Sequence, residues 1–401
     1  MCLHAKSIIE VMQHQPNSNF YSRWPDIFAY GLTEAEAVPS YSELMKSLGQ
    51  PSFRAKQLAQ WLWVRGANSY ADMTNLPATL RTQLEEVAPL QRAEVECVQH
   101  SKDGTRKYLL RFADGTCVEA VGLPSTDTES QRLSVCLSSQ AGCALACTFC
   151  ATGRGGLSRS LLPGEIAEQL RVISADFGRR VSNVVVMGQG EPFQNYGAVL
   201  AGLRLLNADT DNGGFGIGAR HITISTAGII KGIDRLTAEP EQFTLAVSLH
   251  SAVQETRDKI MPGLKGQSLE KLGDSLVRYY KKTKRRPSLE YALIDKTNTS
   301  PSEVAALTNF AQKTKAHVNL IPLNEIEVAG GACGDSSQAQ SRAAASDRKA
   351  HLDSSTKLKS ANQEETQSLA RKLSAAGIQV TVRQKRGADI DAACGQLAQT
   401  R

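Results

Sequence analysis

The sequence predicts an α/β protein built on a parallel sheet, open or curled into a partial barrel. Three observations carry this reading. Beyond residue 132, short β-rich runs at 181–187, 221–225, 243–250, 289–294, 317–323 and 378–383 are separated for the most part by helical stretches such as 163–173 and 269–281. Parallel strands joined by crossover helices require that alternation. A further β-rich run at 133–137 leads straight into a loop holding three cysteines, and ahead of it the chain changes period twice.

Residues 1–38 read as an N-terminal extension without a firm pattern. Residues 39–92 read as a small helical domain. A helix opens at Tyr41, is broken by Gly49-Gln50-Pro51, resumes over 53–64 with apolar residues near helical spacing, and returns over 78–87. Between 93 and 131 the period shortens to two, with turns at Asp103-Gly104 and Asp114-Gly115, which predicts a β-hairpin from 108–112 and 117–121. Glu119 falls on that hairpin, where a carboxylate ordinarily faces solvent. Residues 132–401 form the main unit. Within it, 329–366 is rich in Ala, Ser, Gly and Lys and is expected to be a mobile insertion, with Cys333 incidental. A helix over 366–376 and the last strand follow.

Cys143, Cys147 and Cys150 stand in a C-x3-C-x2-C run. Three thiolates this close can hold three irons of a [4Fe–4S] cluster, whereas a fully protein-ligated cluster takes four. The remaining iron would be open to S-adenosyl-L-methionine, the compound known for starting radical chemistry at such a site, and the spacing is the signature of radical-SAM enzymes. Structural zinc is the alternative, because Cys136 lies seven residues upstream and could complete a tetrahedral set. A zinc ribbon usually draws its second pair from a separate C-x2-C, and the chain has none.

Ligands of parallel sheets sit at strand C-termini. The ends offered here are Gly188-Gln189-Gly190-Glu191, then Ser225, then Ser248-Leu249-His250, then Asn324. Glycines admit a ligand close to backbone, and the Glu191 carboxylate can accept from an amine. Taken singly, Ser225 and Ser248 read first as helix N-caps, and His250 equally as a packed histidine. Gly213-Gly214-Phe215-Gly216-Ile217-Gly218 resembles a dinucleotide fingerprint, but it precedes a strand and is set aside.

Apolar residues make up 41% and charged residues 21%, with no run long enough to span a bilayer and no secretory leader pattern at the start. The nine cysteines, odd in number and unevenly spread, do not resemble a secreted disulfide scaffold, so a reducing cytoplasm is expected. The net charge of +6 is modest, but Lys281, Lys282, Lys284, Arg285 and Arg286, and then Arg383, Lys385 and Arg386, cluster as a polyanion partner would require or as solvated helix ends do.

The sequence resembles the RlmN-type radical-SAM RNA methyltransferases over most of its length. The resemblance rests on Phe53-Arg54-Ala55-Lys56-Gln57, Met73-Thr74-Asn75-Leu76, Cys136 through Cys143, Gly190-Glu191-Pro192, Ser248-Leu249-His250, Asn319 through Asn324, and Asp389 through Leu397. It implies a partial (β/α)6 barrel carrying one [4Fe–4S] cluster on Cys143, Cys147 and Cys150. It also implies S-adenosyl-L-methionine against Gly190, Glu191, Ser225, Ser248, Leu249, His250 and Asn324, two molecules per turnover. Carbon 2 of adenine in 23S rRNA and tRNA is the implied target, with Cys394 carrying the methyl group, Cys136 resolving the adduct through a transient disulfide, and Glu119 accepting a proton. The implied partners are RNA and a one-electron donor such as flavodoxin, with a monomeric chain and no membrane. Cfr-type relatives, which methylate carbon 8, share both cysteine roles, and the helical N-terminal domain and Arg386 through Asp391 favour the RlmN type. Gln189 and Leu323 depart from the residues common there.

Overall fold

The protein was analysed as a computed structural model that describes residues 26–33, 35, 38–127, 129–324 and 358–398. The N-terminal helices are α1 (Tyr41–Ser47), α2 (Phe53–Ala59), which runs on into a π-helical turn (Gln60–Val64), and α3 (Ala78–Val87). Ser40 and Glu43 close a capping box on α1, which explains its sharp start.

Next come antiparallel strands β1 (Glu94–His100), β2 (Arg106–Arg111) and β3 (Cys117–Pro124). The expected hairpin is thus three strands, and β3 pairs with β4 (Leu133–Cys136), so the hairpin extends the main sheet. β1 lacks clean alternation of burial, which hid it in the sequence. The short pair β5 (Gln140–Gly142) and β6 (Leu157–Ser160) brackets the cysteine run and α4 (Ala151–Arg154).

The parallel part then alternates as expected: α5 (Pro163–Phe177), β7 (Asn183–Val186), α6 (Tyr196–Asn207), β8 (Ile222–Thr226), α7 (Ile230–Ala238), β9 (Thr244–Ser248), α8 (Gln254–Ile260), α9 (Leu269–Thr283), β10 (Ser288–Leu293), α10 (Pro301–Thr314), β11 (His317–Pro322), α11 (Gln363–Ala375) and β12 (Val380–Val382). The sheet order is β1-β2-β3-β4-β7-β8-β9-β10-β11-β12, parallel from β4 onward, and the first and last strands do not pair. Strands β4, β7, β8, β9, β10 and β11 each lead into a crossover helix, giving six β/α units, with β12 as a seventh parallel strand. Among the described residues no helix is long and apolar enough to cross a membrane.

Residues expected to lack pattern contribute to the core. Ile27, Phe28 and Ala29 form a buried 3-10 turn, and Phe28 packs against Gly164 of α5, where an added Cβ would lie 2.6 Å from it. Phe28 also stacks on Trp63 at 5.5 Å, joining the helical domain to the barrel. The rejected fingerprint has a packing purpose: a Cβ on Gly213 would lie 2.5 Å from Ala59 of α2. Of the segment expected as a mobile insertion, 329–357 lies outside the described residues. From 358 the chain is described, with Ile294 bridging Ser360 and α11 starting at Gln363, earlier than expected because Asn362 and Glu365 form a capping box.

Candidate active site

A single cavity touches Val186, Ser225, Ser248, Ala292 and Ile321, residues from β7 to β11, so the sheet must curl for them to share it. Cys143, Cys147 and Cys150 line one end. Their loop is shaped by backbone contacts. Cys143 N–H donates to Gly156 O at 2.8 Å, Thr148 N–H to Ile260 O at 3.0 Å, and Gly263 N–H to Leu145 O at 3.0 Å. Gly142 has φ 79, and a Cβ there would lie 2.0 Å from Gly156 O, so only glycine fits. Burial pushes the Cys143 thiol up to about 11.

Gly190 has φ 101, and its missing Cβ leaves room for Gln140, 2.5 Å away. Glu191 is buried, and burial raises its carboxyl above the usual range. It accepts from the Thr226 hydroxyl at 2.7 Å, from Phe193 N–H at 3.0 Å and from Ala227 N–H at 2.6 Å. The carboxylate therefore ties the end of β7 to that of β8, with one lone-pair direction left for a ligand amine. Thr226, which the sequence reading passed over, turns the chain by accepting from Gly228 and Ile229 N–H.

Ser225 and Ser248 line the cavity and are not N-caps: those positions belong to Ile229 before α7 and Val253 before α8. Leu249 departs from expectation. Its side chain is fully buried in the core and does not line the cavity, while its backbone N–H donates to Glu290 O and its O accepts from Arg257 Nε. His250 lines the cavity in a left-handed conformation, φ 54, with Nδ1 accepting from Ala292 N–H at 3.0 Å. That bond assigns the neutral ring with its proton on Nε2, and burial, helped by Arg257, lowers its pKa to about 3. Asn324 donates to Cys394 O at 3.1 Å, while its buried Oδ1 has no hydrogen-bond partner among the described residues.

A second cavity adjoins the first. Cys136 and Lys385 line only the second, whereas Met187, Asn324, Arg383 and Cys394 line both. Cys136 and Cys394, 258 positions apart in sequence (394 less 136), thus share one cavity. Burial, with Cys394 adding to it, pushes the Cys136 thiol up to about 12. Arg383 Nη1 lies 3.8 Å from Cys394 Sγ and 3.9 Å from Glu290 Oε2. Arg383, read as part of a polyanion-binding cluster or of a solvated helix end, lines both cavities. Arg386, of the same cluster, pairs with Asp103 at 2.9 Å. Glu290, also unforeseen, is buried with Oε1 held by Ser288 and Asn319. Glu119 is 1% exposed, against the expectation of an exposed hairpin carboxylate; it pairs with Lys107 at 3.0 Å and lines neither cavity.

The profile described as the Radical SAM superfamily matches residues 137–284, and that described as the ribosomal RNA large subunit methyltransferase N-terminal domain matches 38–90. A probable dual-specificity RNA methyltransferase RlmN from Symbiobacterium thermophilum is 40% identical over 90% of this chain and 89% of its own length. The protein of that name from Synechococcus elongatus is 40% identical over 91% and 92%. The chain belongs to the RlmN family. A crystal structure of a radical-SAM methyltransferase from Sphaerobacter thermophilus matches with TM-score 0.77 at 36% identity, covering 93% of this chain and 98% of that one. Radical-SAM membership brings a [4Fe–4S] cluster and S-adenosyl-L-methionine, and the RlmN-type site fits both. Among the described residues no three His, Cys, Asp or Glu side chains converge as ligands of a single ion would. Three cysteines lining one cavity suit a cube, which takes one thiolate per iron. With Cys136 turned to the second cavity, the four-cysteine zinc reading loses its fourth ligand. The orphaned Asn324 Oδ1 and the His250 Nε2 proton offer a nucleoside-like ligand an acceptor and a donor.

Proposed function

We propose that this protein methylates carbon 2 of adenine in 23S rRNA and tRNA through an S-methylcysteine on Cys394. The observation that carries the reading is that Cys394 stands in the wall between two cavities, with the three-cysteine loop on one side and Cys136 on the other. When bound, the cluster supplies the electron that splits S-adenosyl-L-methionine to a radical able to take hydrogen from a methyl group, which an electron-poor ring carbon requires.

Cys143, Cys147 and Cys150 would hold the cluster. Gly190 lets the ligand approach, Glu191 accepts from its amine, and Ser225, Ser248, His250 and Asn324 complete its enclosure, with Leu249 buried behind them. Cys394, as thiolate, takes the methyl group and carries it; burial raises its thiol, and the Arg383 guanidinium beside the sulfur works against that rise. The target base, extruded from its stack, enters the second cavity, and Lys385 on its wall suits the phosphate backbone. To release product, Cys136 as thiolate attacks the Cys394 sulfur. The S–S bond forms as the bond between that sulfur and the product carbon breaks, the carbon keeping the bonding pair and taking up a proton to become the methyl group, and the resulting disulfide must be reduced before the next turnover. One cluster per chain, two molecules of S-adenosyl-L-methionine per turnover, a flavodoxin-like electron donor, a monomeric state and a cytoplasmic location accompany this reading.

The test is nucleoside mass spectrometry of rRNA and tRNA from cells with and without the gene. We expect 2-methyladenosine to depend on it; 8-methyladenosine in its place would overturn the assignment. Cys136→Ala should accumulate a covalent RNA adduct at Cys394, and free turnover by that variant would remove the resolving role.

A further inference from the structure

The loop presenting Cys394 is held from two sides. After Cys394, Gly395 O accepts from Ala151 N–H at 2.7 Å and Leu397 O from the Thr152 hydroxyl at 2.6 Å, so this part rests on the helix following the cysteine run. Before it, the antiparallel extension grips the chain. Asp103 accepts from Arg386 Nε at 2.9 Å and Gly387 N–H at 3.0 Å, and the Ser101 hydroxyl donates to Asp389 at 2.5 Å. Deeper down, Lys107 Nζ lies 3.0 Å from Glu119 Oε1, the two side chains being 5% and 2% exposed. The same ammonium donates to Asp391 O at 3.4 Å, three positions before Cys394.

A buried ion pair is a weak device for stability, because desolvation offsets most of its attraction. Its position gives it another use. Lys107 stands opposite Val121, and Val121 opposite Cys136. Glu119, two residues from Val121 along β3, faces the same side. Val121, Cys136, Ala392 and Leu397 pack as one apolar cluster. The pair therefore lies beneath the loop, beside the cluster that seats Cys136 and the loop residues Ala392 and Leu397, and opens onto neither of the two cavities.

We propose that Lys107 and Glu119 are positioning residues for Cys394: Glu119 anchors the ammonium, and the ammonium anchors the Asp391 carbonyl, setting the height of the loop between the cavities. This rests on Cys394 being the methyl carrier, and it lets Glu119 act through Lys107 instead of at the base.

The experiment compares Lys107→Met, Lys107→Arg, Glu119→Gln and the Lys107→Met/Glu119→Gln double variant as cluster-loaded enzymes. It reads amide exchange over 387–397, methyl occupancy of Cys394 after incubation with S-adenosyl-L-methionine, and turnover on tRNA. Lys107→Met and Glu119→Gln should each speed exchange and lower methyl occupancy and turnover by roughly tenfold, with the double variant no worse than either single one. Iron and sulfide should stay at wild-type levels, and Lys107→Arg should restore most of the protection. Unchanged exchange in Glu119→Gln with a normally methylated Cys394 and an accumulated RNA adduct would overturn the proposal in favour of Glu119 as proton acceptor. Iron loss in Lys107→Arg as well as Lys107→Met would overturn it as general destabilisation. Turnover by Cys394→Ser would instead remove the carrier reading and leave the exchange result standing.

Discussion

His250 illustrates how one side chain links the site to stability. The folded protein keeps its ring neutral down to about pH 3, whereas the unfolded chain takes up a proton near its ordinary 6.5. Below 6.5 the unfolded state binds more protons, so this residue's contribution is complete above that pH and is lost as pH falls toward 3. The slope approaches ~1.4 kcal/mol per pH unit for one proton. His250→Asn keeps an acceptor for Ala292 N–H and tolerates the left-handed backbone, so the urea midpoint of the apoprotein should depend less on pH between 6 and 4. An unchanged slope would mean that His250 does not stay neutral. At this scale the sequence was most legible where spacing encodes chemistry, as in Cys143, Cys147 and Cys150. Cys136 and Cys394 needed the resemblance, because no local pattern joins positions so far apart. Glu290, Arg383 and Lys107 went unread or misplaced, since a lone charged residue on a strand looks solvated until its neighbours are known. The reading of Glu119 as exposed failed for the same reason, since its burial beside Lys107 is not legible from its own strand.

Among the elements, the parallel strands were read well because β9 and β10 are apolar runs buried on both faces and β7, β8 and β11 bury every other residue, and β1 was missed because its faces are only half-covered. The hairpin β5–β6 was invisible, three and four residues long with no alternation to announce it. It nevertheless frames the cysteine loop, and Gly142 is its critical point. Gly142→Ala sets a Cβ 2.0 Å from Gly156 O, the same carbonyl that accepts from Cys143 N–H. Relief requires the two strands to part, at a strain of about 1–3 kcal/mol. The expected outcome is a protein with unchanged far-UV circular dichroism that retains less iron after desalting. Full iron retention would show that the loop holds its shape without this contact.

Across the whole molecule, the helical domain and the barrel meet at Arg92. Its side chain is 10% exposed; Nη1 pairs with Glu168 of α5 at 2.8 Å, and Nη2 donates to Leu62 O at 2.7 Å and Ala67 O at 2.6 Å. The guanidinium also lies over the Trp63 ring, 5.5 Å from its centre. One residue thus satisfies carbonyls of the helical domain and a buried carboxylate of the barrel. The junction was not legible in the sequence, because Arg92 sits at an expected boundary where a basic residue reads as linker. Arg92→Leu leaves those carbonyls unpaired, but Glu168 keeps Arg171 at 2.6 Å, so the loss should fall near 3 kcal/mol, the low end for breaking a buried pair. Because the cysteine loop takes no contact from Arg92, iron and sulfide content should stay at wild-type level while amide exchange over 38–90 accelerates. Turnover on tRNA should fall with the loosened domain, since the matched methyltransferase N-terminal domain spans those residues. If exchange over 38–90 stays slow in Arg92→Leu, the domain is held by the Phe28 and Trp63 contact instead, and Phe28→Ala becomes the variant that releases it.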